Sequence, residues 1–317
     1  MIDFSDIKAA HTRIQSFVKK TPLIQSKYLS DFCNSQVYLK LENQQITNSF
    51  KIRGALNKMM TLTPEEKEKG VLAVSSGNHA QAVGVAAAHL KIPAKIIIPE
   101  NTPKNKIEKI KKYDVILEIY PGDYDETELY ARKISKKTDS IFISGYNDNY
   151  IVAGQGTIGI ELSDQLENIT DVIVPVGGGG LISGIAVAIK KMHPKARVIG
   201  VQSEASPAFY ESLKAGKIID VELFDSIADG MWGGIEKGSV TFDIVQKFVD
   251  EILLVKEETI KKAIGLLWKE DKQKVEGSAA ATIAALLENQ TKFEDKTIVC
   301  IMSGGNINDE LFQKLII

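Results

Sequence analysis

The sequence predicts an α/β protein of two lobes, built on mostly parallel open sheets flanked by helices. Three observations predict it. Apolar β-branched runs bounded by glycine alternate with helical patterns over most of the chain, the signature of parallel strands joined by right-handed crossovers. At 317 residues, the chain exceeds the ~250–300 at which one hydrophobic core stops growing. Three strand runs end in polar or glycine-rich loops, where open α/β sheets place their ligands.

Taken in order, Val71–Val74 reads as a buried strand, Ala80–Leu90 as an alanine-rich helix and Ala94–Ile98 as a second strand. A basic helix follows Pro103. Then come a strand over Val115–Ile119, a helix through Lys137 and a short strand at Ile141–Ile143. A second α/β region begins near Ile151. There Val172–Val176 runs into Gly177-Gly178-Gly179-Gly180, followed by a helix over Leu181–Met192 and a strand at Val198–Val201. Ile260–Lys272 and Ala279–Leu287 carry helical periodicity, and Thr297–Met302 is a last buried strand ending in Ser303-Gly304-Gly305-Asn306.

Composition narrows the function. A chain 44% hydrophobic and 25% charged is an ordinary globular one, and its net charge of -2 with interleaved signs argues against nucleic acid or an anionic membrane. The lysine-rich stretches Lys104–Lys112 and Lys133–Lys137 read as solvated helix faces. Met1-Ile2-Asp3-Phe4-Ser5-Asp6 lacks the basic-then-apolar order of a signal peptide, and no apolar run nears the ~18 residues that span a bilayer. Cys33 and Cys300 are far apart and form no CxxC pair, which suits a reducing cytosol. His11, His89 and His193 have no metal-ligand spacing, and no Gly-x-Ser-x-Gly elbow supports a serine hydrolase.

Three segments can carry chemistry. Glycines 177 to 180, between a strand and a helix, free backbone N–H groups to curl around an anion with the helix dipole behind them. No Gly-Lys-Ser/Thr follows, and Ile182 stands where a dinucleotide fingerprint wants its last glycine, so the ligand is a lone phosphate rather than a nucleotide. A tight turn is the plainer alternative. Ser75-Ser76-Gly77-Asn78-His79 puts hydroxyls, an amide and an imidazole at a strand-to-helix junction whose free N–H groups suit a carboxylate; an N-cap alone needs only one such residue. Lys51, in Ser49-Phe50-Lys51-Ile52-Arg53-Gly54, would by itself pass for a surface charge.

Together these segments resemble the fold-type II pyridoxal-phosphate (PLP) enzymes, a two-lobed fold like that of the tryptophan synthase β chain. The resemblance is strongest to the serine/threonine dehydratase and serine racemase branch. It runs from Thr21-Pro22-Leu23 to Ser303-Gly304-Gly305-Asn306 and takes in Ala153-Gly154-Gln155-Gly156-Thr157, Ala228-Asp229-Gly230 and Glu276-Gly277. It implies a large cofactor-binding domain over 1–48 and 147–317 and a small substrate-loop domain over 49–146. Lys51 would carry the cofactor as a Schiff base and move the Cα proton, with Phe50 beside the ring. Gly177, Gly178, Gly179, Gly180 and Leu181 would hold the phosphate, Asn78 the phenolic oxygen and Ser303 the pyridine nitrogen, with the backbone of Gly230 near the ring. Ser75, Ser76, Asn78 and His79 would take the substrate carboxylate.

The implied reaction is dehydration and deamination of L-threonine, L-serine or a close 3-hydroxy amino acid to a 2-keto acid and ammonia. Serine racemisation, with Ser76 as proton donor opposite Lys51, is the alternative; threo-3-hydroxyaspartate and phenylserine are further substrates to weigh. Ser-Ser-Gly-Asn-His in the substrate loop departs from the Thr-Ser-Gly-Asn-Thr of cysteine synthases. Gln202 and Ala208 stand where related enzymes place two carboxylates for a divalent cation, so that site is expected to be weakened or absent, although Glu204 would serve in a shifted register. The glycine-rich Ala228–Glu236 stretch, with its added Trp232, is expected to reshape the side-chain pocket. About eleven residues follow Asn306, so end-product inhibition through a C-terminal regulatory domain like that of biosynthetic threonine dehydratases is not expected. A cytoplasmic homodimer is what the resemblance implies.

Overall fold

A computed structural model describes residues 1–316. Ten strands form two sheets: β1 (Leu23–Gln25), β2 (Gln36–Lys40), β3 (Val71–Val74), β4 (Ala94–Pro99), β5 (Ile116–Tyr120), β6 (Ile141–Phe142), β7 (Asp171–Pro175), β8 (Arg197–Ser203), β9 (Glu251–Val255) and β10 (Thr297–Ile301). The larger sheet has the order β1-β2-β10-β7-β8-β9 and the smaller β5-β4-β3-β6. Every pairing is parallel except β1 with β2. The fold class is therefore the one the sequence predicts.

The reason is visible in the strands. Val71–Val74 and Asp171–Pro175 are buried at every position, as central parallel strands must be when helices cover both faces. The helices Asn78–Leu90, Gly180–Met192 and Gly277–Glu288 cover them. The pattern reading places β3 and β10 within a residue, but it assigns nothing to the first 48 residues, where β1 and β2 complete the larger sheet. β1 is only three residues long, and β2 ends in a buried charge, Lys40. Neither feature reads as a strand signal.

Two helices matter most for position. Lys51–Met60 begins at Lys51 itself, and Asn149–Gln165 contains the Ala153–Thr157 motif. They cross in backbone contact: a Cβ on Gly154 would lie 2.6 Å from the Arg53 carbonyl oxygen and 2.7 Å from Gly54 Cα. On its other side the same helix meets Gly180–Met192, where a Cβ on Gly184 would lie 2.3 Å from the Val152 carbonyl oxygen and 2.5 Å from Gly156 N. One helix thus spaces the lysine helix from the helix behind the glycine loop.

Gly154→Ala should destabilise the protein by about 1–3 kcal/mol, the cost of overpacking a tight contact. The check is urea unfolding, with a lower midpoint at unchanged m-value expected. An unchanged midpoint would mean that the helices can part freely and that this spacing is not fixed.

Candidate active site

Lys51 reaches its place through backbone bonds. Ser49 bridges to Gly304, the Phe50 N–H donates to the Ser303 carbonyl at 3.1 Å, and the Gly305 N–H donates to the Asn48 carbonyl at 2.9 Å. The lysine segment and the Ser303–Asn306 loop are thereby stitched together from opposite ends of the chain. The Lys51 ammonium donates to the Gly145 carbonyl at 2.8 Å and lies 5.2 Å from the centre of the Phe50 ring. Burial pushes its pKa down to about 8, against the opposing pull of Glu276. The positive end of its own helix works in the same direction as burial.

β3 delivers Ser75–Gly77 into a turn, and the helix starts at Asn78. Ser75 Oγ accepts from the Gly77 N–H at 3.1 Å, and Ser76 is half-buried in the same turn. The first-turn N–H groups of this helix have no intrahelical partner and face the loop at the positive end of the dipole. His79 is buried, and its Nε2–H donates to the Ile143 carbonyl at 2.8 Å. Burial, then the Lys51 charge, pushes it down to about 4. It is a neutral ring with its proton on Nε2.

Asn78 is held at both ends of its carboxamide. Its Nδ2 donates to Glu276 Oε1 at 2.8 Å, and its Oδ1 accepts from Asn306 Nδ2 at 2.7 Å. Glu276 has no assigned role in the sequence reading, which quotes it only in Glu276-Gly277. At the N-cap of helix Gly277–Glu288 its side chain makes no capping bond and turns to Asn78 instead. Burial, then the charge of Asp229, raises its carboxyl to about 7, while bonds from Asn78 and the Asn306 backbone oppose the rise.

The glycine loop lies across the cleft. Gly179 has φ of +83°, which favours glycine, and a Cβ on Gly178 would lie 2.4 Å from the Tyr146 ring. Leu181 is buried in the helix behind. Gly230 comes alongside: its carbonyl oxygen would be 3.1 Å from a Cβ on Gly177, and its own Cβ would be 2.8 Å from Ser278 Oγ. The fold therefore brings Phe50, Lys51, Asn78, Gly177–Leu181, Gly230 and Ser303 into one cleft with the Ser75–His79 turn. Tyr146, Ser278 and Glu276 join them, and sequence reasoning gave these three no part. Among the described residues, the buried hydroxyls of Ser49, Ser278 and Ser303 have no hydrogen-bond partner.

Gln202 is committed elsewhere. Its Nε2 donates to the Val176 carbonyl at 3.2 Å and its Oε1 accepts from the Tyr210 N–H at 2.9 Å. Ala208 is buried at the start of helix Ala208–Ala215. Among the described residues no group of three or more His, Cys, Asp or Glu side chains is placed to hold a metal.

Residues 14–304 match the family model described as pyridoxal-phosphate dependent enzyme. The chain is 42% identical over 317 residues to the L-threonine ammonia-lyase of Thermotoga maritima, covering all of this chain and 78% of that one. It is 42% identical over 312 residues to the catabolic L-threonine dehydratase of Staphylococcus aureus, covering 97% and 90%. The solved structure of maize serine racemase superposes with a TM-score of 0.92 at 33% identity, covering 98% of this chain and 96% of that one. The chain belongs to the pyridoxal-phosphate-dependent enzymes.

The residues present fit that cofactor. An amine of lowered pKa at Lys51, a run of free N–H groups at the glycine loop and an orphaned buried hydroxyl at Ser303 are the three donors that an aldehyde, a phosphate and a pyridine nitrogen require.

Two outcomes follow from Lys51. Borohydride reduction with PLP, followed by peptide mass analysis, should find the label on Lys51 and none at that position in Lys51→Ala; an unchanged label would refute the assignment. The rate at which cofactor-free protein captures PLP should rise with pH through a midpoint near 8, because only the neutral amine attacks. A midpoint near the ~10.4 of an ordinary lysine would contradict the burial argument.

Proposed function

We propose that this member of the pyridoxal-phosphate-dependent enzymes is an ammonia-lyase that converts L-threonine, and secondarily L-serine, into a 2-keto acid and ammonia, the water lost with the β-hydroxyl being regained when the released enamine hydrolyses. Full-length identity of 42% to an L-threonine ammonia-lyase supports the substrate. The observation that carries the reaction type is the neutral, orphaned hydroxyl of Ser303 in the loop stitched to the lysine segment. A carboxylate in that place would keep the pyridine nitrogen protonated and favour transamination. A hydroxyl favours expulsion of a β-hydroxyl.

When bound, PLP supplies the electron sink that acidifies the substrate Cα–H. The protein does the rest. Lys51 Nζ would hold the cofactor, and its lowered basicity suits it to take the proton from the substrate Cα near neutral pH. The N–H groups of Gly177–Leu181 would hold the cofactor's phosphate, Phe50 and Gly230 would lie beside its ring, and Asn78 would bond its phenolic oxygen. Glu276 aims that carboxamide: a carboxylate beside Nδ2 and the Asn306 donor beside Oδ1 fix which end faces the ring. Ser75, Ser76, Asn78 and His79 take the substrate carboxylate. His79 would act there through its backbone N–H, since its ring N–H is taken by the Ile143 carbonyl and its imidazole carries no charge.

The domain reading belongs to the same proposal: residues 49–146, holding the smaller sheet, move against 1–48 and 147–317, holding the larger. With Gln202 already bonded on both sides, the usual divalent-cation site is weak or absent. Homodimeric assembly rests on the family resemblance. A cytosolic setting is supported by the buried, unpaired Cys33 and Cys300. Serine racemisation is the second reading, favoured by the placement of Ser76 in the carboxylate turn and by the likeness to maize serine racemase.

One assay separates the readings. Incubation with L-threonine, L-serine, threo-3-hydroxyaspartate and 3-phenylserine, with keto acid and D-amino acid measured together, should give most keto acid from L-threonine. D-serine outpacing pyruvate would replace the lyase with the racemase. Ser76→Ala should lower racemisation further than elimination from L-substrates. Chelator should leave most activity in place; a large loss restored by Mg²⁺ would show that a cation site exists after all.

A further inference from the structure

Beyond the groups placed against cofactor or substrate, one residue ties three parts of the site together. Glu236 sits in Trp232-Gly233-Gly234-Ile235-Glu236-Lys237-Gly238. Gly233 and Gly238 have φ of +130° and +76°, and no atom lies within 4 Å of where a Cβ would stand on Gly233, Gly234 or Gly238. The glycines are thus not held by packing, whereas Ile235 between them is buried in the core; the polar contacts of Glu236 orient the part of the segment that leaves it. Glu236 Oε1 meets Arg132 at 3.0 Å, and Oε2 accepts from Asn147 Nδ2 at 2.7 Å. The Glu236 N–H donates to the Tyr146 hydroxyl at 2.9 Å.

Each partner leads somewhere. Arg132 belongs to helix Tyr124–Thr138, which covers the smaller sheet, and it is held ready by Glu128 and by the Phe142 ring at 4.5 Å. Asn147 Oδ1 also accepts from the Val240 N–H at 3.0 Å, locking the loop from the larger lobe. Tyr146 lies on Gly178 and Gly180 of the phosphate cradle. Between Ser144 and Tyr146 is Gly145, whose carbonyl receives Lys51.

We propose that Glu236 is a positioning residue, which holds loop 144–147 against both Lys51 and the glycine cradle and couples the glycine-flanked 232–238 segment to the place of the reactive amine. The proposal rests on the lyase reading for its catalytic consequence. Its geometry stands without it. The Arg132–Glu236 pair is about one-third exposed on both sides, so its Coulomb energy is small. The work is directional: two carboxylate oxygens and one N–H set the orientation of three side chains at once.

The test compares Glu236→Ala and Glu236→Gln with wild-type holoenzyme by hydrogen exchange over residues 140–150 and 232–242, alongside kcat and KM for L-threonine. In Glu236→Ala, exchange should rise in both segments, kcat should fall on the order of tenfold through misplacement of the base, and KM should stay within about twofold. Both variants keep the backbone N–H to Tyr146; Glu236→Gln also keeps one side-chain oxygen acceptor, so it should recover most of both. Exchange at 140–150 unchanged in Glu236→Ala overturns the proposal, as does raised exchange with unchanged kcat. Wild-type protein that forms no keto acid defeats the lyase reading, while the exchange result still decides whether Glu236 holds the loop.

Discussion

The site depends first on the helix Asn149–Gln165, which is gripped from both sides without side chains between. Gly154 lets it touch the lysine helix and Gly156 with Gly184 lets it touch the helix behind the glycine loop. Backbone-to-backbone contact leaves little slack, because a packed interior transmits small displacements instead of absorbing them. A buried charge cluster pins the same crossing. Arg53, two residues after Lys51, bonds both Glu42 and Glu161, and Lys40 bonds Glu161, Gln165 and the Thr21 carbonyl. Such charges cost much to desolvate and are tolerated only when every donor is met. Here the Arg53 donors also reach Thr157 and the Lys19 carbonyl, so nothing is left over. What the cluster contributes is geometry more than stability.

That rigid frame explains the unusual proton balance inside the cleft. Lys51 and Glu276 titrate near 8 and 7, far closer together than a lysine and a glutamate in water. Burial drives both toward their neutral forms, and the Glu276 charge partly holds Lys51 in its protonated form. His79, held neutral beside Lys51, adds no competing charge.

Much of this was legible in the sequence, and the limits are physical. Strands buried on both faces announce themselves, so β3, β7 and β10 were read within a residue or so. Ser303 and the glycine run stand at strand ends, where a site belongs. The missed parts carry no local pattern. β1 is too short for periodicity, and Lys40 looks like a strand terminus exposed to water until Glu161, from a distant helix, neutralises it. Glu276 and Tyr146 acquire their meaning only from partners across the cleft, Asn78 in one case and Gly178 in the other. The Ala153–Thr157 motif was visible as a motif, yet its task is a helix crossing, which no spacing along one helix can reveal.

The site thus has two kinds of part. Lys51, the glycine loop and Ser303 are fixed by backbone crossings and sheet ends. Loop 144–147 and the 228–236 segment, the latter anchored by the buried Ala228, Met231 and Ile235, are also held by side-chain hydrogen bonds, including Lys106 to Asp229 at 2.8 Å from the smaller lobe. Polar contacts of this kind can be remade at low cost, whereas a glycine-mediated helix crossing cannot. Differences in substrate among enzymes with this frame should therefore collect in the polar loops, and differences in the helix crossings should be rare. On that view, the open glycines flanking Glu236 leave its polar contacts room to orient the segment about the buried Ile235.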